Sequence, residues 1–236
     1  MAEPPPNRYI PVRVEPFRQK LPHVAACLDD DAKTRQAIKI VALGSSSTAG
    51  EGGIVPYPVR LQAFLRAKYP GRMIDVLNRG VSGEEAPAEL ARLHRDVVAE
   101  KPCLVIWQVG TNAVWQRGHD LRAVAAAIDD GLGQLTALAT DVILMDMQYA
   151  PALLTPDKID NTHWMLLEII RVAATHPRVN VFHRFEMMRK WHAIEGQSFD
   201  RLIDPNDTDR LHQSDWSAQR IGYELCEEIA RTAIWP

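Results

Sequence analysis

Five short, apolar, β-rich runs, separated by stretches with helical spacing, constrain this chain more than any other feature. They cover residues 38–43, 73–78, 103–109, 142–146 and 179–182. Each is apolar through most of its length and does not alternate, as expected of parallel strands covered on both faces. The intervening stretches place apolar residues on one helical face. Val59, Leu61, Phe64, Leu65 and Tyr69 form one such face, and Val124, Ile128, Leu132 and Leu135 another. A last helix is expected over 215–232. Strands alternating with helices imply βαβ units, hence an α/β fold with a mostly parallel sheet.

The 236 residues and 46% hydrophobic content suit one domain with a real core. Residues 38–236 are expected to form it. Residues 1–37 are expected to be an arm and lead-in, because six of the sixteen prolines fall in the first 22 residues. Proline lacks the amide donor that a helix interior or central strand needs. The apolar residues Tyr9, Ile10, Val12, Val14 and Phe17 suggest that the arm lies on the domain or on a second copy in a homo-oligomer. Asp29, Asp30 and Asp31 read as a solvated turn or helix end. The net charge of −3 disfavours a nucleic-acid partner. No apolar run approaches the ~18 residues of a membrane span. Cys27, Cys103 and Cys226 contain no CxxC pair, so neither a disulfide framework nor a cysteine-rich zinc site is expected. No apolar signal core follows Met1. A cytoplasmic location is expected if Met1 is the natural start, and a periplasmic or secreted one if a leader has been removed.

In open α/β sheets, ligands bind outside the carboxyl ends of the strands. The first such loop is "GSSSTAG", residues 44–50, with small residues that permit a sharp turn and three serine hydroxyls. It lacks the Lys of a Walker loop, the GxGxxG spacing and the GxSxG elbow. Alone it reads equally as an N-cap or a turn. The second strand runs into "NRGVSG" (78–83) and the third into "GTNAVW" (110–115). "DTDRLH" (207–212) precedes the last helix. Individually, His212 could be a helix-start residue and Asn112 a loop residue. Asp204, Asp207 and Asp209 could be turn residues, since EF-hand spacing is absent.

Taken in order, these four blocks resemble the SGNH (GDSL-type) hydrolase family over residues 38–232. The resemblance implies a three-layer α/β/α sandwich with a flavodoxin-like, five-stranded parallel sheet. It implies Ser46 as nucleophile, His212 as base and Asp209 as the carboxylate that orients it. It implies an oxyanion hole from the amides of Ser46 and Gly80 and the side chain of Asn112. Ser45 and Ala113 stand where the family usually has Asp, which marks a divergent subgroup. Ser45, Trp115, Gln148 and Tyr149 are candidate pocket residues. The expected substrate is a small-molecule or carbohydrate ester, short-chain or O-acetyl, cleaved through an acyl-enzyme without metal or cofactor. Two alternatives share the site: an O-acyltransferase, and a non-catalytic carbohydrate-binding protein on a hydrolase fold.

Overall fold

The computed structural model describes residues 14–34, 37–116 and 118–233. Strands β1 (Ile38–Gly44), β2 (Ile74–Gly80), β3 (Leu104–Gln108), β4 (Asp141–Met145) and β5 (Val179–Phe182) form one parallel sheet in the order β2-β1-β3-β4-β5. This is the flavodoxin-like order, with its switch point between β1 and β3. β3 and β4 are buried at every position, because helices cover both faces.

The helices follow in chain order. α1 (Pro22–Thr34) precedes the sheet, and the one-turn α2 (Ser46–Ala49) follows β1. α3 (Tyr57–Lys68) leads to β2, then α4 (Ala86–Ala91) and α5 (Leu93–Asp96) lead to β3. α6 (Thr111–Trp115) and α7 (Leu121–Thr136) precede β4, and α8 (Ile159–Ala174) precedes β5. α9 (Arg184–Ala193), α10 (Phe199–Leu202) and α11 (Asp215–Thr232) complete the chain. α4, α7 and α8 pack as one layer, and α3 and α11 pack together in the other. α7 approaches the sheet through Gly131, where a Cβ would sit 2.3 Å from the Trp107 ring. The periodic residues Val124, Ile128, Leu132 and Leu135 are all in the core.

The lead-in is more ordered than its prolines suggest. Phe17 is buried against Phe182, with ring centroids 6.3 Å apart. The Gln19 backbone exchanges two hydrogen bonds with the Asn180 side chain, so this segment lies along β5, the edge strand. α1 starts where Asp141 Oδ2 accepts the amides of His23 and Val24, satisfying two orphan donors of its first turn. Asp29–Asp31 therefore belong to a helix. The expected packing of Tyr9, Ile10 and Val12 lies outside the described residues. Among the described residues, no helix is long and apolar enough to cross a membrane.

Candidate active site

The site forms at the carboxyl ends of β1, β2 and β3. β1 ends at Gly44, where a Cβ would lie 2.4 Å from Thr48 Oγ1 and 2.9 Å from Gln108 Oε1. That close approach admits only glycine and lets the chain turn directly into α2. One oxygen organises the turn: Gln108 Oε1, at the end of β3, accepts from the Ser45 amide, Ser45 Oγ and Thr48 Oγ1 at 3.1, 3.1 and 3.2 Å. Asn78 Nδ2 donates to the Thr48 carbonyl at 2.7 Å, and Gln213 Nε2 to the Ser47 carbonyl at 3.2 Å. These amide side chains fix the four residues of α2 that propensity alone could not hold. Ser46 opens the helix, so its own amide is one of the donors without an intrahelical partner.

Ser46 Oγ lies 3.1 Å from His212 Nε2, and His212 Nδ1 lies 3.1 Å from Asp207 Oδ2. The serine and histidine singled out by the sequence are thus brought together across 166 positions. The carboxylate is a correction. Asp209 is exposed and makes no contact with the His212 ring among the described residues. The loop curls around Asp207 instead, whose carboxylate accepts the amides of Asp209, Leu211 and His212 at 3.2, 2.8 and 2.6 Å. Arg210 takes a left-handed φ of 55° to permit the curl. Burial works to raise the Asp207 carboxyl, but the His212 and Leu211 amides and the His212 ring hold it below the ordinary carboxylate range.

Gly80 is a second correction. Its amide donates to Asn78 Oδ1 at 2.9 Å, and a Cβ there would sit 2.2 Å from the Ala49 nitrogen. Gly80 therefore lets β2 approach α2, and its amide is already engaged. Asn112 is buried and places one amide hydrogen on the Glu84 carbonyl at 2.7 Å. Its other amide hydrogen has no partner among the described residues.

None of the expected pocket residues lines the depression at Ser46. Ser45 and Gln148 are buried. Ser45 turns to Gln108, and Gln148 Oε1 accepts from Thr111 and from the buried Arg184 at 2.9 and 2.8 Å. Tyr149 packs against Phe185 and Phe199, and Lys158 lies 3.7 Å over the Trp115 ring. The depression at Ser46 is lined instead by Ser47, Glu51, Ile54, His212 and Gln213.

Glu85 gives Ala113 its context. Glu85 Oε1 accepts the amides of Ala86 and Gly110, and Oε2 that of Ala113, all within 3.0 Å. A buried carboxylate thus sits on the N-terminal turn of α6 and positions Asn112 from below. Burial pushes the Glu85 carboxyl up, against the three amides that favour its charge. Neither Glu85 nor Asp207 stood out in the sequence. Glu85 lies two residues after the Gly block, and Asp207 lies inside the DTDRLH block, but which acidic side chain turns inward depends on loop geometry.

A model of the non-GDSL lipase-like family matches residues 9–234. An acetylxylan esterase of Geobacillus stearothermophilus is 39% identical over 89 residues, covering 35% of this chain and 39% of that relative. The aligned part thus spans well under half of that enzyme. Among solved structures, a catalytic mutant of an acetylxylan esterase from the same organism superposes with a TM-score of 0.69 at 20% identity, covering 84% of this chain and 97% of the other. An α/β hydrolase enzyme from the metagenome of Lake Arreo, Spain, gives 0.69 at 20% identity, with 82% and 95% covered. A lipase/acylhydrolase from Enterococcus faecalis gives 0.66 at 24% identity, with 81% and 95% covered. These three share the fold.

Proposed function

This chain belongs to the non-GDSL lipase-like family, and from that membership we propose that it is a serine ester hydrolase acting on small acyl esters, foremost O-acetyl groups on a carbohydrate. The observation that carries the reading is the aligned run Asp207–His212–Ser46, with two contacts of 3.1 Å. A serine hydroxyl is a weak nucleophile until a base takes its proton. In this reading Ser46 Oγ attacks the ester carbonyl carbon while its proton passes to His212 Nε2. The tetrahedral adduct collapses, the bond to the alcohol oxygen breaks, and Nε2 returns the proton to that oxygen. Water then repeats the sequence on the acyl-Ser46 ester and releases the carboxylic acid. Asp207 holds the Nδ1 proton, fixes the tautomer and offsets the charge on the ring.

The oxyanion donors in this reading are the Ser46 amide, the remaining Asn112 Nδ2 hydrogen and the Gly83 amide. Gly83 replaces Gly80. It occupies the left-handed position of the turn closed by Glu84 N to Val81 O, with φ of 81°. Its carbonyl takes Gln116 Nε2 at 3.1 Å, one residue from the carbonyl that takes Asn112. Its amide has no hydrogen bond among the described residues. The acetyl preference is supported by the small size of the depression at Ser46. The likeness to an acetylxylan esterase supports the carbohydrate side.

The test is hydrolysis of p-nitrophenyl acetate and of acetylated xylo-oligosaccharides by the wild type and Ser46→Ala. Loss of roughly 10⁴-fold or more in kcat for the variant is expected. Equal rates for the two proteins would refute the assignment.

A further inference from the structure

His212 Nε2 has a second neighbour that the proposed mechanism leaves without a role. Glu51 Oε2 lies 3.2 Å from it, next to the 3.1 Å contact with Ser46 Oγ. Glu51 follows Gly50, which ends the nucleophile helix, and its carbonyl accepts the Ile54 amide at 3.0 Å. The turn between them uses Gly52 and Gly53 at φ of 61° and 81°. The backbone thus fixes this carboxylate on the same short segment as the nucleophile. Among the described residues no lysine or arginine pairs with it, and His212 is its one neighbour that can carry positive charge. Its side chain is 37% exposed, so it faces the open side of the site.

An alcohol oxygen that leaves from an acyl group on Ser46 must come within hydrogen-bond reach of Nε2 to be protonated. Whatever substituent lies next to that oxygen then meets Glu51. Beyond Glu51, Ile54 is shared between the depression at Ser46 and a hollow of about 520 Å³. Asp204, Asn206, Asp215 and Trp216 also line that shallow, open hollow, which offers polar groups and an aromatic face to a hydroxylated ring.

We propose that Glu51 is a specificity-determining residue on the alcohol side of this site, accepting a hydroxyl of a neutral polyhydroxylated alcohol and rejecting alcohols that carry negative charge. The proposal rests on the hydrolase reading above. A carboxylate that no lysine or arginine neutralises accepts an O–H strongly, because the acceptor is charged. A carboxylate or phosphate on the alcohol would meet a like charge in a site only partly open to water, which disfavours it. An alkyl alcohol would cover Glu51 without replacing its hydration.

The experiment compares wild type, Glu51→Gln and Glu51→Ala at fixed pH and ionic strength. Three acetate esters are used: p-nitrophenyl acetate, a mono-acetylated methyl xyloside and a mono-acetylated glucuronic acid. The ratio of kcat/KM for the neutral sugar ester to that for the uronic acid ester is expected to fall roughly tenfold or more in Glu51→Gln, which keeps the shape and loses the charge. Glu51→Ala is expected to lower it in the same direction. An unchanged ratio in both variants overturns the proposal. So does an equal fall for all three esters, which would mean that the charge serves His212 and not the alcohol. If the wild type turns over none of the esters and a fluorophosphonate fails to label Ser46, the hydrolase reading itself falls and takes this proposal with it.

Discussion

The loop carrying Asp207 and the helix carrying Glu85 and Glu89 put carboxylates to opposite uses. Asp207 sits near the surface, receives three backbone amides and faces the imidazole, so its charged form is favoured. Glu89 is fully buried. It accepts Trp107 Nε1 at 2.7 Å through one oxygen and leaves the other without a partner among the described residues. Burial and the neighbouring Glu85 push its carboxyl well up. Arg92 pulls the other way, but its guanidinium is spent on Glu84, Asp96 and the Gly44 carbonyl. The comparison shows that backbone donors lower a carboxyl where burial is partial, as at Asp207, and are outweighed where burial is complete, as at Glu85 and Glu89. Glu85 lies between the two, buried like Glu89 but supplied with amides like Asp207.

Substitutions separate the three environments. Asp207→Ala is expected to lower kcat on p-nitrophenyl acetate by roughly 10³–10⁴, from loss of the oriented tautomer. Asp209→Ala, in the same assay, should stay within a few-fold of wild type. Comparable losses for the two would break the distinction drawn between them. Glu85→Ala leaves three amides without their acceptor and should cost about 2–4 kcal/mol in urea unfolding. Its kcat should also fall by roughly 10², through the Asn112 donor that Glu85 positions. Gly80→Ala should destabilise by about 1–3 kcal/mol, because its Cβ collides with α2 backbone and not with a movable side chain.

The smallest effect sharpens the comparison most, because its sign reverses between two residues. The Glu89 carboxyl is raised in the fold, so the unfolded chain loses that proton first as pH rises. Stability from this group is full below the ordinary glutamate value of 4.5 and is lost as pH rises through the folded value. The Asp207 carboxyl is lowered, so its contribution is present above the ordinary value of 3.8 and is lost as pH falls through the folded one. Relative to wild type, Glu89→Gln should therefore gain urea resistance as pH rises from 4 toward neutrality. Asp207→Asn should lose it, relative to wild type, as pH rises from the folded value through 3.8, below that range. Parallel trends for the two variants would contradict the assigned environments.

Much of this architecture is legible from local patterns. The final helix is expected and found over Asp215–Thr232, because its apolar spacing and the Ser214 N-cap are both local. β5 also falls where its apolar run lies, over Val179–Phe182. α1 is not legible, since the acceptor for its first amides is Asp141, 118 and 117 positions away. Ser45 illustrates a subtler limit. As a departure from a family pattern it looks like a pocket residue, yet its hydroxyl turns inward to Gln108.

The sequence by itself determined the order of strands and helices, the parallel sheet, and the loops from which Ser46, Asn112 and His212 come. Those features follow from periodicity and small-residue turns, which act over a few neighbouring positions. Only the tertiary structure decided that Asp207 and not Asp209 faces the imidazole, that Gly80 is a packing residue, and that Glu51 meets Nε2. Each depends on which way a side chain or amide points within a tight loop. That direction is set by hydrogen bonds to partners distant in sequence or by a single left-handed residue, and residue type does not record it.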